Sequence, residues 1–300
     1  MKGQSVSPII LISNRPYRLC VSNVCTDLFS AVKEVLLYLK NCKKKNIALY
    51  GVNPSSTADN LKLAGFGRNR PIYYNFGDLR ACYNRFQKDM DRFDAVICTN
   101  DYAAISLINN LKKEDWNYLN KLFIVSFANT NLSQIITPSI TSVALNYDEY
   151  GKVAIDIHNM LHKNPQLACV NVNVKSKIIV RDTTDNIPVG RMDSDRAEMH
   201  DAGFDFYGDE EVKQLVRMET LFEKCEESDL YILKMLADGK SYEQVAETVF
   251  MTVNGIKYRL DKLCRLCGFY SRKELICAWK GHCFWDTILL EMGNNWECKH

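Results

Sequence analysis

Between residues 46 and 144, short and mostly apolar runs alternate with stretches of helical periodicity. No other feature restricts the fold as strongly. The runs are Asn46–Gly51, Ile72–Phe76, Ala95–Cys98, Leu122–Val125 and Thr141–Ala144. Helices are expected around Ala58–Gly65, over Leu79–Asp89, and from Asp101 to Leu111. A strand that is apolar on both faces needs cover on both faces, and a parallel sheet flanked by helices supplies it. The pattern extends outward. Residues 8–12 (PIILI) read as a buried strand and Leu19–Ser22 as a short second one. Asp27–Leu39 reads as a helix with Val32, Val35, Leu36 and Leu39 on one face, Tyr147–His162 as another, and Lys177–Val180 as a last strand. The expected class is α/β over residues 1–184.

Residues 185–208 are Asp/Gly-rich and aperiodic, and read as a linker. Residues 209–224 form a helical lead-in, with Val212, Leu215, Val216, Glu219 and Phe222 roughly on one side, a face that could pair with a second copy. Two short amphipathic patterns follow, separated by a few residues. Ser241 and Gln244 have the spacing of a capping box, and Val245, Ala246, Val249 and Phe250 give one apolar face. Thr252 is placed to cap the second helix, where Val253, Ile256, Leu260 and Leu263 repeat at helical spacing. Asn254, Lys257, Tyr258 and Asp261 lie on the opposite face. A helix with donors and acceptors along its outer face, seated on a short preceding helix, suits the major groove of DNA. Between Thr252 and Lys273 six basic residues (Lys257, Arg259, Lys262, Arg265, Arg272, Lys273) stand against one acid, Asp261. The alternative for such a run is a solvated basic helix.

Composition narrows the class further. The chain has 300 residues, is 47% hydrophobic and carries a net charge of +2, which argues against indiscriminate coating of nucleic acid. No run is long enough to span a bilayer, and the start lacks the features of a secretory signal. A cytoplasmic location with most of the 12 cysteines as free thiols is therefore expected.

Residues Cys225 to Trp279 resemble the LuxR/FixJ/GerE-type helix-turn-helix domain. The resemblance rests on Leu233–Ser241 (LKMLADGKS), Val245-Ala246, Val253, Ile256-Lys257, Leu260, Gly268 and Ser271–Leu275 (SRKEL). The chain departs from that pattern with Asp229 for a Glu, Gly255 for a Thr and Arg259 for a His. The resemblance implies a small all-α, four-helix domain over 225–281, with a tail over 282–300. It implies base contacts from Asn254, Lys257, Tyr258 and Asp261, and phosphate contacts mainly from Ser241, Thr252, Lys262 and Arg265.

Residues 8 to about 184 resemble the sensor domain of LacI/GalR repressors, which shares the periplasmic-binding-protein fold. The landmarks are Asp27, Tyr38-Leu39, Asn46–Leu49 with Gly51, Leu63–Phe66, Gly77-Asp78, Asn100–Ala104, Pro138–Thr141 and Tyr147 with Gly151. The first strands of that family's sensor have no counterpart before Pro8, so an incomplete sensor is expected. The resemblance implies a crevice holding a small polar metabolite such as a sugar, lined by Asp27, Lys62, Leu79, Asn100, Asp101, Asn129 and Tyr147. Lys62, Leu79 and Ala128 replace the Arg, aromatic and Asp that often clamp sugars there, and Asn100-Asp101 reads equally as a helix cap.

Cys264 and Cys267, with Cys277, His282 and Cys283, are ligand types suited to zinc, but they also continue an apolar helix side. No metal or cofactor is expected. No nucleophile elbow, Walker-type loop or His-Glu-x-x-His helix is present, so no enzymatic activity is expected. The expected function is a DNA-binding regulator, a homodimer responding to a small effector. The rivals are a helix-turn-helix used for protein docking and a solute-binding protein.

Overall fold

A computed structural model describes residues 8–13, 21–114, 116–119, 121–184 and 209–281. The expected linker 185–208, the tail 282–300 (with His282 and Cys283) and Leu19-Cys20 lie outside the described residues. The chain divides into two compact units. Among the described residues, the first holds 8–13, 21–129 and 140–184, and the second holds 130–139 and 209–281.

The first unit contains β1 (Ile10–Ile12), β2 (Ser22–Thr26), α1 (Leu28–Asn41), β3 (Ile47–Val52), α2 (Thr57–Phe66), β4 (Ile72–Tyr74) and α3 (Leu79–Gln87). It continues with β5 (Ala95–Cys98), α4 (Asp101–Glu114), α5 (Trp116–Leu119) and β6 (Phe123–Ala128). After residues 130–139 come β7 (Thr141–Ala144), α7 (Tyr147–Lys163), β8 (Asn171–Val174) and β9 (Lys177–Ile179). The main sheet has the order β4-β3-β5-β6-β7-β9. Ile47 pairs with Ala95 and Ala95 with Phe123 in parallel register, as fully apolar runs require. Valines 32 and 35 and Leu39 of α1 pack with Leu49, Ile97 and Val125 into the buried core.

Three expectations are corrected. The sheet is not wholly parallel, because β9 runs antiparallel to β7, Ser142 facing Ile179. The second strand is Ser22–Thr26, which among the described residues shares only Ser22 with the expected Leu19–Ser22. Two of its buried polar side chains are bonded, Ser22 Oγ accepting from the Val170 N–H at 3.0 Å and Asn23 Oδ1 accepting from Ser13 Oγ at 2.6 Å, while Asn23 Nδ2 is buried without a partner among the described residues. Strand β8, with its alternating NVNV, was not expected, and it pairs with β2 in a separate three-stranded sheet, β1-β2-β8, against which α7 packs.

The second unit contains α6 (Asn131–Ile135), α8 (Glu210–Lys224), α9 (Glu227–Ala237), α10 (Tyr242–Thr248), α11 (Val253–Cys267) and α12 (Arg272–Gly281). Val212, Leu215, Met218 and Leu221 of α8 are buried within this unit, where the helix packs against α6, α11 and α12. Ile232, Leu233, Leu236, Val245, Ile256, Leu260 and Leu263 complete the core, joined by Cys264 and Cys267. Those two cysteines therefore act as small apolar side chains. Phe250 corrects the expected apolar face of α10. That helix ends at Thr248, and Phe250 has a φ of 54° and is 86% exposed.

Candidate functional site

Strand order reverses between β4 and β5 on either side of β3, and in open α/β sheets ligands meet the carboxyl ends of strands beside such a switch. At those ends several polar groups are bonded to one another, although Asn75, just after β4, buries its Nδ2 without a partner among the described residues. Lys62 Nζ donates to Asp59 Oδ1 at 3.0 Å and to the Thr99 carbonyl at 2.7 Å, and all three residues are buried. Asp59 Oδ2 accepts the Asn53 N–H, and Thr99 Oγ1 donates to the Gly51 carbonyl. Leu79 is fully buried in the core. Asn100 caps α4 by accepting the Ala103 N–H at 2.9 Å, the helix-cap arrangement.

Asp101 is buried and accepts the Oγ protons of Ser126 and Ser142, the latter at 2.8 Å. Ser142 Oγ also accepts the Asn129 N–H at 3.0 Å, and the Arg181 guanidinium donates to Asn129 Oδ1 and, at 2.6 Å, to the Ile140 carbonyl. Burial lowers the Arg181 pKa, opposed by the nearby charge of Asp101. Arg181 was missed at the sequence level because it follows an edge strand with no motif around it.

The structure brings Asn100, Asp101 and Asn129 to the ends of β5 and β6, and places Asp27 and Tyr147 elsewhere. Asp27 caps α1, its two carboxylate oxygens accepting the Ser30 N–H and Ser30 hydroxyl. Its neighbours Thr26 and Leu28 line a cavity of about 220 Å³ together with Ile12, Ser13, Leu145, Tyr147 and Tyr150. Thr26 Oγ1 and Tyr150 Oη are hydrogen-bonded, while Tyr147 packs edge-on to Tyr150 and is 61% exposed. A hollow of aromatic rings with hydroxyls at its wall suits a small polar molecule with an apolar face.

In the second unit both expected caps are formed. Ser241 Oγ accepts the Gln244 N–H while Gln244 Oε1 accepts the Ser241 N–H, and Thr252 Oγ1 accepts the Gly255 N–H at 3.0 Å. Gly255 is also where an added Cβ would crowd Thr252 Oγ1 at 3.2 Å. On α11, Asn254, Tyr258, Lys262 and Arg265 are exposed, Tyr258 to 65%. Lys257 is half-buried, its ammonium 5.5 Å from the centre of the Tyr242 ring.

Two of the six basic residues are neutralised internally. Arg259 reaches the start of α9, bonding Asp229 at 2.6 Å, Glu226 at 2.6 Å and Ser228 at 3.0 Å. These bonds raise its pKa further. Arg272 grips Asp261 through two bonds of 2.6 and 2.9 Å, which hold that carboxyl below its usual pKa. The outward cationic groups of α11 are therefore Lys257, Lys262 and Arg265, and Asp261 meets Arg272.

Residues 39–184 match the family model of the periplasmic binding protein-like domain. The NTD biosynthesis operon regulator NtdR of Bacillus subtilis (strain 168) is 22% identical over 191 residues, covering 59% of this chain and 58% of the relative. Catabolite control protein A of Staphylococcus aureus (strain MRSA252) is 24% identical over 194 residues, 61% of this chain and 59% of its own. The chain thus spans under three fifths of the length of these curated relatives. In fold it is similar to a LacI family transcriptional regulator from Enterococcus faecium with bound ribose, at a TM-score of 0.50 and 16% identity over 60% of this chain and 72% of that one. Residues 39–184 are thus similar to the periplasmic binding protein-like domain, and the curated relatives of this chain include an operon regulator and a catabolite control protein.

Proposed function

We propose that the protein is a cytoplasmic, non-enzymatic transcription regulator. Its sheet unit senses a small polar metabolite such as a sugar, and its α10–α11 pair is a LuxR-type helix-turn-helix that binds operator DNA. One observation carries the DNA-binding reading. Two capped helices are joined by a short turn, and the second exposes Asn254, Tyr258, Lys262 and Arg265 along one side. In this reading Asn254, Lys257 and Tyr258 meet base edges in the major groove, with Asp261 orienting Arg272 beside them. Ser241, Thr252, Lys262 and Arg265 meet phosphates. A homodimer would place two such helices about one helical turn of DNA apart, roughly 34 Å. Effector binding beside Tyr147 and Asp27 would favour one arrangement of that dimer, provided the effector binds the two arrangements with different affinity.

The test is fluorescence anisotropy of the full chain with DNA from its own upstream region, across a salt series and with competitor DNA. Affinity that falls steeply with salt yet survives competitor supports the reading. Binding erased by competitor removes it.

A second reading, that the helix pair docks a protein, is favoured by one observation. Glu243 and Glu247 line the hollow beside exposed Phe250, and their charge would repel phosphate. If Lys257→Ala combined with Arg265→Ala leaves DNA binding unchanged, the protein-docking reading gains.

A further inference from the structure

The chain leaves the sheet unit at Asn129 and returns at Ile140, and the ten residues between belong to the helical unit. The exit is turned by two positive φ angles, 109° at Ala128 and 56° at Asn129. Arg181 bonds both ends of the excursion, the Asn129 side chain at the exit and the Ile140 carbonyl at the return. Within the helical unit the middle is held separately. The buried Glu219 carboxylate of α8 accepts the Asn131 N–H at 2.8 Å and the Leu132 N–H at 2.9 Å. Each is a hydrogen bond to a charged acceptor with little competing water, so the attachment is a strong one. Helix α8 in turn packs on α11, and Arg217 on it pairs with Glu274 of α12 at 3.2 Å.

We propose that residues 130–139 are the transmission element between the sensor and the DNA-binding helices, with Arg181 as the clamp at its root and Glu219 as the latch at its far end. Asp101 and Ser142 hold the Asn129 backbone at that same root. A change in those bonds displaces Thr130, hence α6, hence α8 and the seat of α11. The physical requirement is a connected set of groups that both ends bias. The purpose of the element rests on the regulator reading above, but the connection does not.

The experiment is amide hydrogen exchange on the full chain in four forms: unaltered, Arg181→Ala, Glu219→Ala and the double variant. Arg181→Ala is expected to speed exchange in α8 roughly tenfold when Glu219 is present, about the ratio one bond to a charged acceptor can hold. It is expected to leave α8 unchanged when Glu219 is absent. Glu219→Gln, which keeps one acceptor, should give an intermediate response, and Asn129→Gly replaces Arg181→Ala if that variant does not fold. No effect of Arg181→Ala on α8, or an equal effect with and without Glu219, overturns the proposal. Because exchange is read without DNA, failure of the DNA-binding reading would appear only in the anisotropy measurement.

Discussion

In the sheet unit, Lys62, Asp101 and Asn129 direct their hydrogen-bonding groups at neighbours inside the protein. On α11 the corresponding groups of Asn254, Tyr258, Lys262 and Arg265 are exposed. Both sets were picked from sequence as binding residues. The difference teaches that a polar residue at a strand end is as often a structural bond as a ligand contact, whereas a polar stripe opposite a buried helical stripe leaves most of its groups outward, Asp261 with its bonds to Arg272 being the exception on α11. Perturbing the first set should therefore damage stability, and perturbing the second should damage binding.

The sharpest separation is expected from Lys62→Ala. It strands the Asp59 carboxylate in a buried site, and breaking such a pair costs about 3–5 kcal/mol. Urea denaturation should show the loss, and an unchanged midpoint would place the pair in water. Leu260→Ala in the helical core is expected to cost about 2–5 kcal/mol by cavity formation, measured the same way. Lys257→Ala should do the reverse of both, changing stability by less than about 0.5 kcal/mol while weakening operator binding by about 1–3 kcal/mol in anisotropy. A stability loss without a binding loss would collapse the comparison. Thr252→Ala removes the cap of α11 and should cost about 1 kcal/mol, visible as reduced helical signal on heating.

The smallest effect is expected from Asp261. Its folded pKa is depressed by Arg272, so its stabilising contribution is present above the unfolded carboxyl value, roughly pH 4. It is lost as pH falls through the lower folded value. Asp261→Asn should flatten that part of the stability profile, with its small loss seen at neutral pH and disappearing at low pH, where the unaltered protein has lost the same contribution.

How much was legible follows from the same physics. The strand Ala95–Cys98 was read correctly because burial on both faces admits only apolar residues, and Thr141–Ala144 although its buried Thr141 and Ser142 are polar and bonded. Strand β8 was missed because its alternation NVNV, half-exposed, looks like a loop in isolation, and α6 because five residues carry no period. Ser22 misled because its hydroxyl is bonded by Val170, 148 positions away. At the candidate sites, both caps were visible from short spacings. The pairing of Arg259 with Asp229, 30 positions away, was not, so the local charge count overstated the outward positive face.

The bond from Leu132 to Glu219 joins residues 87 positions apart. During synthesis at 5–20 residues per second, the α6 amides wait roughly 4–17 s for the carboxylate that receives them. Strands β7 and β9 of the sheet are themselves made within that interval, and any piece of the gene begun after residue 139 would make the helices of the second unit without the stretch of chain that Glu219 of α8 holds.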